Sequence, residues 1–282
     1  MLNENMSTNT DANREAKIVS DWLNKEDPLA IATHMVVDAD AAFSAALLHT
    51  LRPSAAVVFV RADAEITEED VIAVDLMNGP RAVKGLNSGS AFGFLVSQIK
   101  ESHPEFYMEL KPWADQLNLT DQAKHCDDRV VLANLIEVWR ATGLSDRDIV
   151  DRAIELLQGK QRFALRRHQQ RSNATEIVIK NGVALVKPEH HVRAKDIFSQ
   201  GAHAVVRESQ HGLCIMLSRK AQKRGMDLNT MKDELGEDWF VHPKGFLASF
   251  GGPKAPKDPK KAGVSLDHLQ SRTQKMVEEA MK

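Results

Sequence analysis

A histidine and two aspartates stand close together in the segment AIATHMVVDADAAFSAALL, residues 30–48. His34 follows a short apolar run, and Asp38 and Asp40 come after it with one residue between them. Because side chains alternate along an extended or turn segment, both carboxylates can point toward one place. An imidazole and two carboxylates suit a hard divalent cation such as Mn²⁺ or Mg²⁺. The alternative is structural, with Asp38 capping the next helix and Asp40 adding charge to its first turn.

The elements around these residues predict a parallel sheet. The apolar run 29–32 predicts a strand, 41–51 a helix, and 55–60 and 71–74 two more strands. Strand–helix–strand alternation predicts parallel pairing with right-handed crossovers. Ligands in such folds bind where a strand ends and a helix begins. Asp75 stands at the end of the third strand and is a further candidate ligand.

The segment 76–90 is rich in Gly and Asn, so it predicts a loop, and a helix is expected over 91–99. Ser88 and Ser90 precede that helix. Its free amides can be capped locally or can face a phosphate group, and Ser88 and Ser90 are candidate substrate-binding residues in the second case.

The second half of the chain predicts a separate domain. A helical region is expected over 105–170, and the pattern then changes to EIVIK-NG-VALV, where Asn-Gly between β-rich runs predicts a hairpin. We therefore expect a disordered tail over 1–13, an N-terminal domain with a helical connector over 14–160, and a smaller α+β domain over 175–282, with a boundary near 160–175. The basic segment 160–171, KQRFALRRHQQR, is either a solvated helix face or a positive edge of a cleft between the domains.

Composition restricts the class of protein. The chain has 282 residues, 43% of them hydrophobic, and a net charge of -2. These values indicate a globular two-domain protein without bulk attraction to nucleic acid, although a local basic groove stays compatible with them. Cys126 and Cys214 form no CxxC motif, so a structural zinc site is not expected. No apolar run reaches the ~18 residues of a membrane helix, and the N-terminus has no signal-peptide pattern, so we expect a cytoplasmic protein.

Three features of the sequence combine into a family resemblance. They are the His34–Asp38–Asp40 motif, Asp75 at a strand end, and a late glycine- and lysine-rich stretch. Together they resemble the DHH phosphoesterase superfamily, most closely its branch of Myg-type exonuclease-like proteins. In the late stretch the matching residues are Phe240, Val241, His242, Gly245, Phe246, Gly251, Gly252 and Lys254.

The resemblance implies a metal-dependent mechanism and a division of labour between two domains. The N-terminal domain of such enzymes holds Mn²⁺, and the C-terminal domain closes over the substrate across a cleft. The matching metal and catalytic positions are His34, Asp38, Asp40 and Asp75. The matching substrate-binding positions are Ser88, Ser90, His242, Gly251, Gly252 and Lys254. DHH-type proteins often form dimers, so a homodimer is also an expectation.

The Asp-His-His motif that names the superfamily is missing. No histidine occurs between His49 and His103, so a single Mn²⁺ or Mg²⁺ ion is expected. A further carboxylate ligand is usual near a later helix end, and Asp115 is our candidate, with Asp121 as the alternative. Two functions follow. The first is a divergent metal-dependent phosphodiesterase acting on a nucleotide or an oligonucleotide end. The second is an inactive relative that binds a phosphorylated ligand or nucleic acid. A partner-binding protein that kept only the fold is a third option.

Overall fold

The chain divides into two units, Met1–Leu165 and Arg166–Lys282, each with its own buried apolar core. The structure, a computed structural model, describes residues 2–76, 78–85, 87–124 and 132–282, with side chains described from residue 12 onward. The division point lies inside the region 160–175, where the sequence predicts a domain boundary.

The first unit alternates strands and helices up to a group of longer helices. In chain order its elements are α1 (Leu2–Leu23), β1 (Ala30–His34), α2 (Ala39–Leu51), β2 (Ala56–Val60), β3 (Val71–Val74), β4 (Ala82–Val83), α3 (Ala91–Gln98), α4 (Pro104–Asp121), α5 (Leu132–Ala141) and the first part of α6 (Asp146–Thr175). The basic segment 160–171 lies within α6 and not in a loop.

The strands of the first unit form a parallel sheet in the order β2-β1-β3-β4. Its central strands are fully buried at Ile31, Ala32, Ile72 and Ala73. Burial on both faces is the usual reason that parallel strands are continuously apolar, and the apolar runs predicted these strands, while their alternation with helices predicted the parallel sheet. The two-residue strand β4 lies in the predicted loop 76–90, because a strand this short leaves no readable pattern.

Helix α2 is buried along nearly its whole length. Its alanines allow close packing, and its one aromatic residue, Phe43, lies 5.9 Å from the ring of Phe92 and 5.8 Å from that of Trp113. Close packing of this kind leaves little freedom for movement, so the start of α2 is held firmly.

Helix α1 begins earlier than expected. The sequence predicted a disordered tail over 1–13, but the structure continues the helix back to Leu2. No Pro or Gly interrupts this stretch, and the helix is anchored further on by Trp22, which is fully buried and donates a hydrogen bond from its indole to the carbonyl of Asp70, 3.2 Å away. A nucleated helix extends readily through residues that do not break it.

The second unit contains the end of α6 and a mixed sheet. Its further elements are β5 (Ile179–Lys180), β6 (Val183–Val186), α7 (Ala194–Ser199), β7 (Ala204–Ser209), β8 (Gly212–Leu217), α8 (Arg219–Lys223), α9 (Lys232–Leu235), β9 (Phe240–Val241), β10 (Leu247–Gly251) and α10 (Leu266–Ala280). The strand order is β5-β6-β7-β8-β10-β9, antiparallel except for the parallel pair β6–β7.

The turn between β5 and β6 is the predicted Asn-Gly hairpin. Asn181 and Gly182 both have positive φ, 49° and 73°. This backbone conformation matches the right-handed twist of the strands, and Asn-Gly is the pair that adopts it with least strain.

The architecture confirms the predicted α/β fold class, with a parallel sheet, a helical region and a smaller α+β unit. Cys214 is half-buried and forms no disulfide, while Cys126 lies outside the described residues. Among the residues that the structure describes, no helix is both long enough and apolar enough to cross a membrane.

Candidate metal centre

His34 is the last residue of β1, and its ring is held by two hydrogen bonds. Nδ1 lies 3.0 Å from the carbonyl oxygen of Met35, and Nε2 lies 3.2 Å from Oδ2 of Asp75. Both partners have acceptor oxygens, so these contacts favour a proton on each ring nitrogen. The hydrogen bond to Asp75 is the main reason that the pKa of His34 rises to about 9. A cation at Nε2 would replace the proton there.

Asp38 and Asp75 reach the same place from two different elements. Asp38 is the N-cap of α2, with Oδ1 accepting a hydrogen bond from the amide of Ala41 at 3.0 Å. Asp75 follows β3 directly, and its backbone has φ 54°. Since β1 and β3 are parallel neighbours, their carboxyl ends lie at the same edge of the sheet. Sheet topology therefore places Asp75 beside His34, although 41 residues separate them.

The ligand atoms of His34, Asp38 and Asp75 all lie within 4.8 Å of one another. One imidazole nitrogen and two carboxylate oxygens form a donor set that fits Mn²⁺ or Mg²⁺. The structure thus brings together three of the residues that the sequence proposed as metal ligands. We call these three residues the metal centre.

The negative charges at and around the metal centre favour binding of a cation. Loss of solvent around its carboxyl raises the pKa of Asp38, and the charge of Asp75 raises it further. Burial also raises the pKa of Asp121, with additional contributions from the charges of Asp75 and Asp38. Carboxylates that destabilise one another in this way are relieved by a positive ion between them.

Asp40 is used differently from what the sequence predicted. It is buried, and its two oxygens accept hydrogen bonds from the amides of Ala91 and Phe92, each at 2.7 Å. Burial raises its pKa, and the hydrogen bonds from these two amides act in the opposite direction by favouring the charged form. The group whose ligand atoms converge does not include Asp40. Its carboxylate instead fixes the start of α3, because the first amides of a helix need acceptors.

The structure uses Ser90 to hold the start of α3 and not to bind substrate, whereas the substrate-binding role of Ser88 stays a prediction. Ser90 is fully buried; its hydroxyl caps α3 by accepting from the amide of Gly93 at 2.9 Å and donates to Oδ1 of Asn118 at 2.6 Å. Ser88 is half-buried in the preceding turn, where its amide donates to the carbonyl of Gly85. With Asp40 and Ser90 accepting from its first amides, α3 does not present them to a phosphate group.

Neither candidate for a further ligand, Asp115 or Asp121, belongs to the group of converging ligand atoms, but the charges of Asp38 and Asp75 act on Asp121. Asp115 is exposed on α4 and pairs with Lys111 one turn earlier, at 2.5 Å. Asp121 is the last residue of α4, and its charge is coupled to those of Asp75 and Asp38. Six residues correspond to one and two-thirds helical turns, so the two aspartates point to different sides of α4.

The substrate-binding residues proposed in the second unit do not form one group. His242 follows β9 and its amide donates to the carbonyl of Leu247, at the start of β10. Gly251 ends β10, and Gly252 and Lys254 follow it. Because β9 and β10 are antiparallel, His242 is at the opposite end of β10 from these residues, about 13 Å away at ~3.3 Å per residue.

Sequence reasoning also missed a residue that contacts the loop between His34 and Asp38. Asp146, the first residue of α6, accepts hydrogen bonds from the amides of Val36 and Val37. An aspartate near a helix start gives no sign of a partner 110 residues away.

The chain was compared with family models, curated proteins and solved structures. No family model and no curated protein matches the chain. Among solved structures, the chain is similar to the pGpG-specific phosphodiesterase PggH from Vibrio cholerae, with 12% identity, a TM-score of 0.30 and coverage of 89% of this chain and 99% of that one. It is also similar to RecJ in complex with Mn²⁺ from Thermus thermophilus, with 13% identity and a TM-score of 0.32, covering 96% of this chain and 54% of RecJ.

A third match is the DHH domain of a protein described as a member of a ribosomal protein family, with 11% identity, a TM-score of 0.30 and coverage of 95% of this chain and 90% of that chain. This chain is similar to DHH-domain proteins. That is the superfamily that its sequence motifs resemble. Because the TM-scores lie below 0.5, we base the proposed function on the residues and the geometry of this chain.

Proposed function

We propose that the chain is a divergent member of the DHH superfamily and a metal-dependent phosphodiesterase that acts on a nucleotide or on the end of an oligonucleotide. One Mn²⁺ or Mg²⁺ ion would be held by His34, Asp38 and Asp75, with Asp121 as a further carboxylate. The observation that supports this proposal is the convergence of the first three residues within 4.8 Å.

A bound divalent cation supplies Lewis acidity and positive charge at a phosphoryl oxygen. Hydrogen bonds within the chain orient the side chains that would bind it. The carbonyl of Met35 accepts from Nδ1 of His34 and so fixes the ring with Nε2 toward Asp75. A backbone acceptor behind a histidine ligand is a common way of orienting it. Asp38 is held by the amide of Ala41, which donates to its Oδ1.

The second candidate function is binding without turnover. It is favoured by the start of α3, where Asp40 and Ser90 accept hydrogen bonds from the amides of Ala91, Phe92 and Gly93. That helix start therefore offers no open amides for a transferring phosphoryl group, and the superfamily's histidine pair is missing from the sequence. In this alternative the metal centre holds an ion and a phosphorylated ligand or nucleic acid, and no bond is cleaved.

The test is a hydrolysis assay of the full chain with Mn²⁺. The substrates are a chromogenic phosphodiester, 5′-phosphorylated short oligonucleotides, and linear and cyclic dinucleotides. We expect Mn²⁺-dependent activity that is lost in Asp38→Ala and in Asp75→Asn. Asn is chosen at position 75 because it tolerates the positive φ of that residue. Asp115→Asn is the matched control, since it removes a carboxylate that lies outside the metal centre.

Activity that persists in both Asp38→Ala and Asp75→Asn would overturn the assignment of the metal centre. If wild-type protein binds Mn²⁺ tightly by calorimetry but hydrolyses none of these substrates, the binding function is the correct one. Absence of Mn²⁺ binding by the wild-type protein would contradict both functions.

A further inference from the structure

The loop that joins two residues of the metal centre is short and strained. Only Met35, Val36 and Val37 separate His34 from Asp38. Val36 has φ 58°, and its side chain is 68% exposed, so packing of that side chain does not hold it in place. A β-branched residue in the left-handed region is strained. The buried side chain of Val37 and the hydrogen bonds made by the loop backbone therefore maintain this conformation.

The hydrogen bonds to the backbone of Val36 and Val37 come from two residues far away in the sequence. Oδ2 of Asp146 accepts a hydrogen bond from the amide of Val36 at 2.7 Å, and Oδ1 accepts from the amide of Val37 at 3.1 Å. Arg140 completes the arrangement: Nη1 donates to Oδ1 of Asp146 at 3.3 Å, and Nη2 donates to the carbonyl of Val37 at 2.5 Å. We call Asp146 and Arg140 the clasp.

The clasp is well suited to holding a backbone in one conformation. Both side chains are largely shielded from water, with 22% and 33% of their surface exposed. One carboxylate receives two backbone amides, and one guanidinium contacts both the carboxylate and the backbone, so each contact is charge-assisted. Arg140 lies in the last turn of α5 and Asp146 begins α6, so the junction between two helices supports the loop.

We infer that Asp146 and Arg140 are positioning residues for the metal centre: they set the separation of His34 and Asp38 by fixing the backbone of residues 36 and 37. This inference rests on the proposed function. Residues that orient ligands without touching the ion affect affinity strongly, because a misplaced ligand loses its bond to the metal.

The test compares Mn²⁺ affinity, measured by calorimetry, in the full-length wild-type protein and four variants. Asp146→Ala removes both acceptors, Asp146→Asn keeps one carbonyl oxygen, and Arg140→Ala removes the support of the carboxylate. Asp148→Ala is the matched control. Asp148 lies in the same helical turn and accepts hydrogen bonds from the amide and the hydroxyl of Ser145, at 3.0 and 2.6 Å. Its loss weakens the start of α6 and leaves the clasp intact.

We expect Mn²⁺ affinity to fall about ten-fold in Asp146→Ala, less in Asp146→Asn and Arg140→Ala, and to stay unchanged in Asp148→Ala. Hydrogen exchange followed by NMR provides a second measurement. The amides of Val36 and Val37 should exchange faster in Asp146→Ala and at the wild-type rate in Asp148→Ala, even where the two variants melt at similar temperatures.

Two outcomes overturn the inference separately from the proposed function. If the wild-type protein binds Mn²⁺ and Asp146→Ala binds it equally well, the clasp does not position the metal centre. If Asp148→Ala loses as much affinity as Asp146→Ala, the effect comes from α6 as a whole and the clasp has no specific role. Absence of Mn²⁺ binding by the wild-type protein instead contradicts the proposed function on which the inference rests.

Discussion

The two units use their polar residues in opposite ways. In the first unit, His34, Asp38 and Asp75 come from separate elements and meet within 4.8 Å. In the second unit, the residues proposed for substrate binding contact their own neighbours. The ring of His242 packs on that of Phe246 with centroids 4.2 Å apart, and its Nδ1 accepts from the amide of Lys244.

The difference follows from the direction of the strands. Parallel strands end at one edge of a sheet, so the residues that follow them are brought together there. Antiparallel neighbours end at opposite edges, so residues that follow β9 and β10 are separated by the length of a strand. A sequence motif spread over several strand ends therefore predicts a common site in the first unit better than in the second.

The largest effect that we expect is on stability, at Gly251 in the second unit. This glycine has φ 80°, and a Cβ there would lie 2.5 Å from the carbonyl oxygen of His211 and 2.8 Å from the amide nitrogen of Lys257. Gly251→Ala should lower the free energy of unfolding by about 3 kcal/mol, because backbone atoms cannot move aside easily. Urea denaturation of the variant and the wild type measures this change in the free energy of unfolding.

Gly252→Ala is the control for Gly251→Ala, because a Cβ at that position meets nothing within 4 Å. We expect its stability to match the wild type. If Gly251→Ala is as stable as the wild type and fails instead to bind a phosphorylated ligand, the second unit also contains a ligand site and the contrast between the units is wrong.

The next largest effect on stability is expected at Asp40, which belongs to the sequence motif but stabilises the start of α3. Asp40→Asn replaces one acceptor oxygen with a donor that must face the amide of Ala91 or Phe92. A buried mismatch of this kind costs about 2 kcal/mol, seen as a lower melting temperature. We expect the folded variant to bind Mn²⁺ with nearly wild-type affinity. A selective loss of Mn²⁺ affinity without loss of stability would show that Asp40 is a ligand.

A smaller effect is expected at the end of α4, where Asp121 and Asp115 can be compared directly. Asp121→Asn should lower Mn²⁺ affinity about ten-fold, equivalent to ~1.4 kcal/mol, because one charge coupled to Asp38 and Asp75 is removed. Asp115→Asn should leave the affinity unchanged. Calorimetric titration of both variants tests the choice, and the reverse order of effects would restore the original sequence candidate.

The smallest effect concerns a surface ion pair of the second unit. Glu234 accepts from His268 at 2.5 Å and from Arg272 at 3.1 Å, and the hydrogen bond from His268 is the main cause of its lowered pKa. A carboxyl with a lowered pKa in the folded state stabilises the fold above its unfolded pKa and loses that contribution as the pH falls through its folded pKa.

Glu234→Gln should therefore cost no more than about 0.5 kcal/mol at neutral pH, since the pair is partly exposed, and nothing in strong acid. Melting temperatures should be measured between pH 3 and pH 7, a range of about four units that includes the usual pKa of Glu. We expect the difference in melting temperature between the wild type and Glu234→Gln to become smaller as the pH falls. A difference that grows in acid would contradict this account.

The sequence by itself determined most elements of the first unit and the parallel direction of its longer strands. The apolar runs 29–32 and 71–74 indicated strands, their alternation with helices indicated parallel pairing, and the small apolar residues 41–51 indicated a helix. These features are local, because each depends on the periodicity and composition of a few neighbouring residues. The Asn181-Gly182 turn was equally predictable, since positive φ at both positions favours this pair.

Only the tertiary structure decided which polar side chains share a site. Asp38 and Asp40 are indistinguishable as candidate ligands in the sequence, yet one carboxylate lies beside Asp75 and the other beneath the first amides of α3. Asp146 gave no signal at all, because its partners are more than a hundred residues away. Hydrogen bonds between distant segments depend on how whole elements pack, and local pattern contains no information about that arrangement.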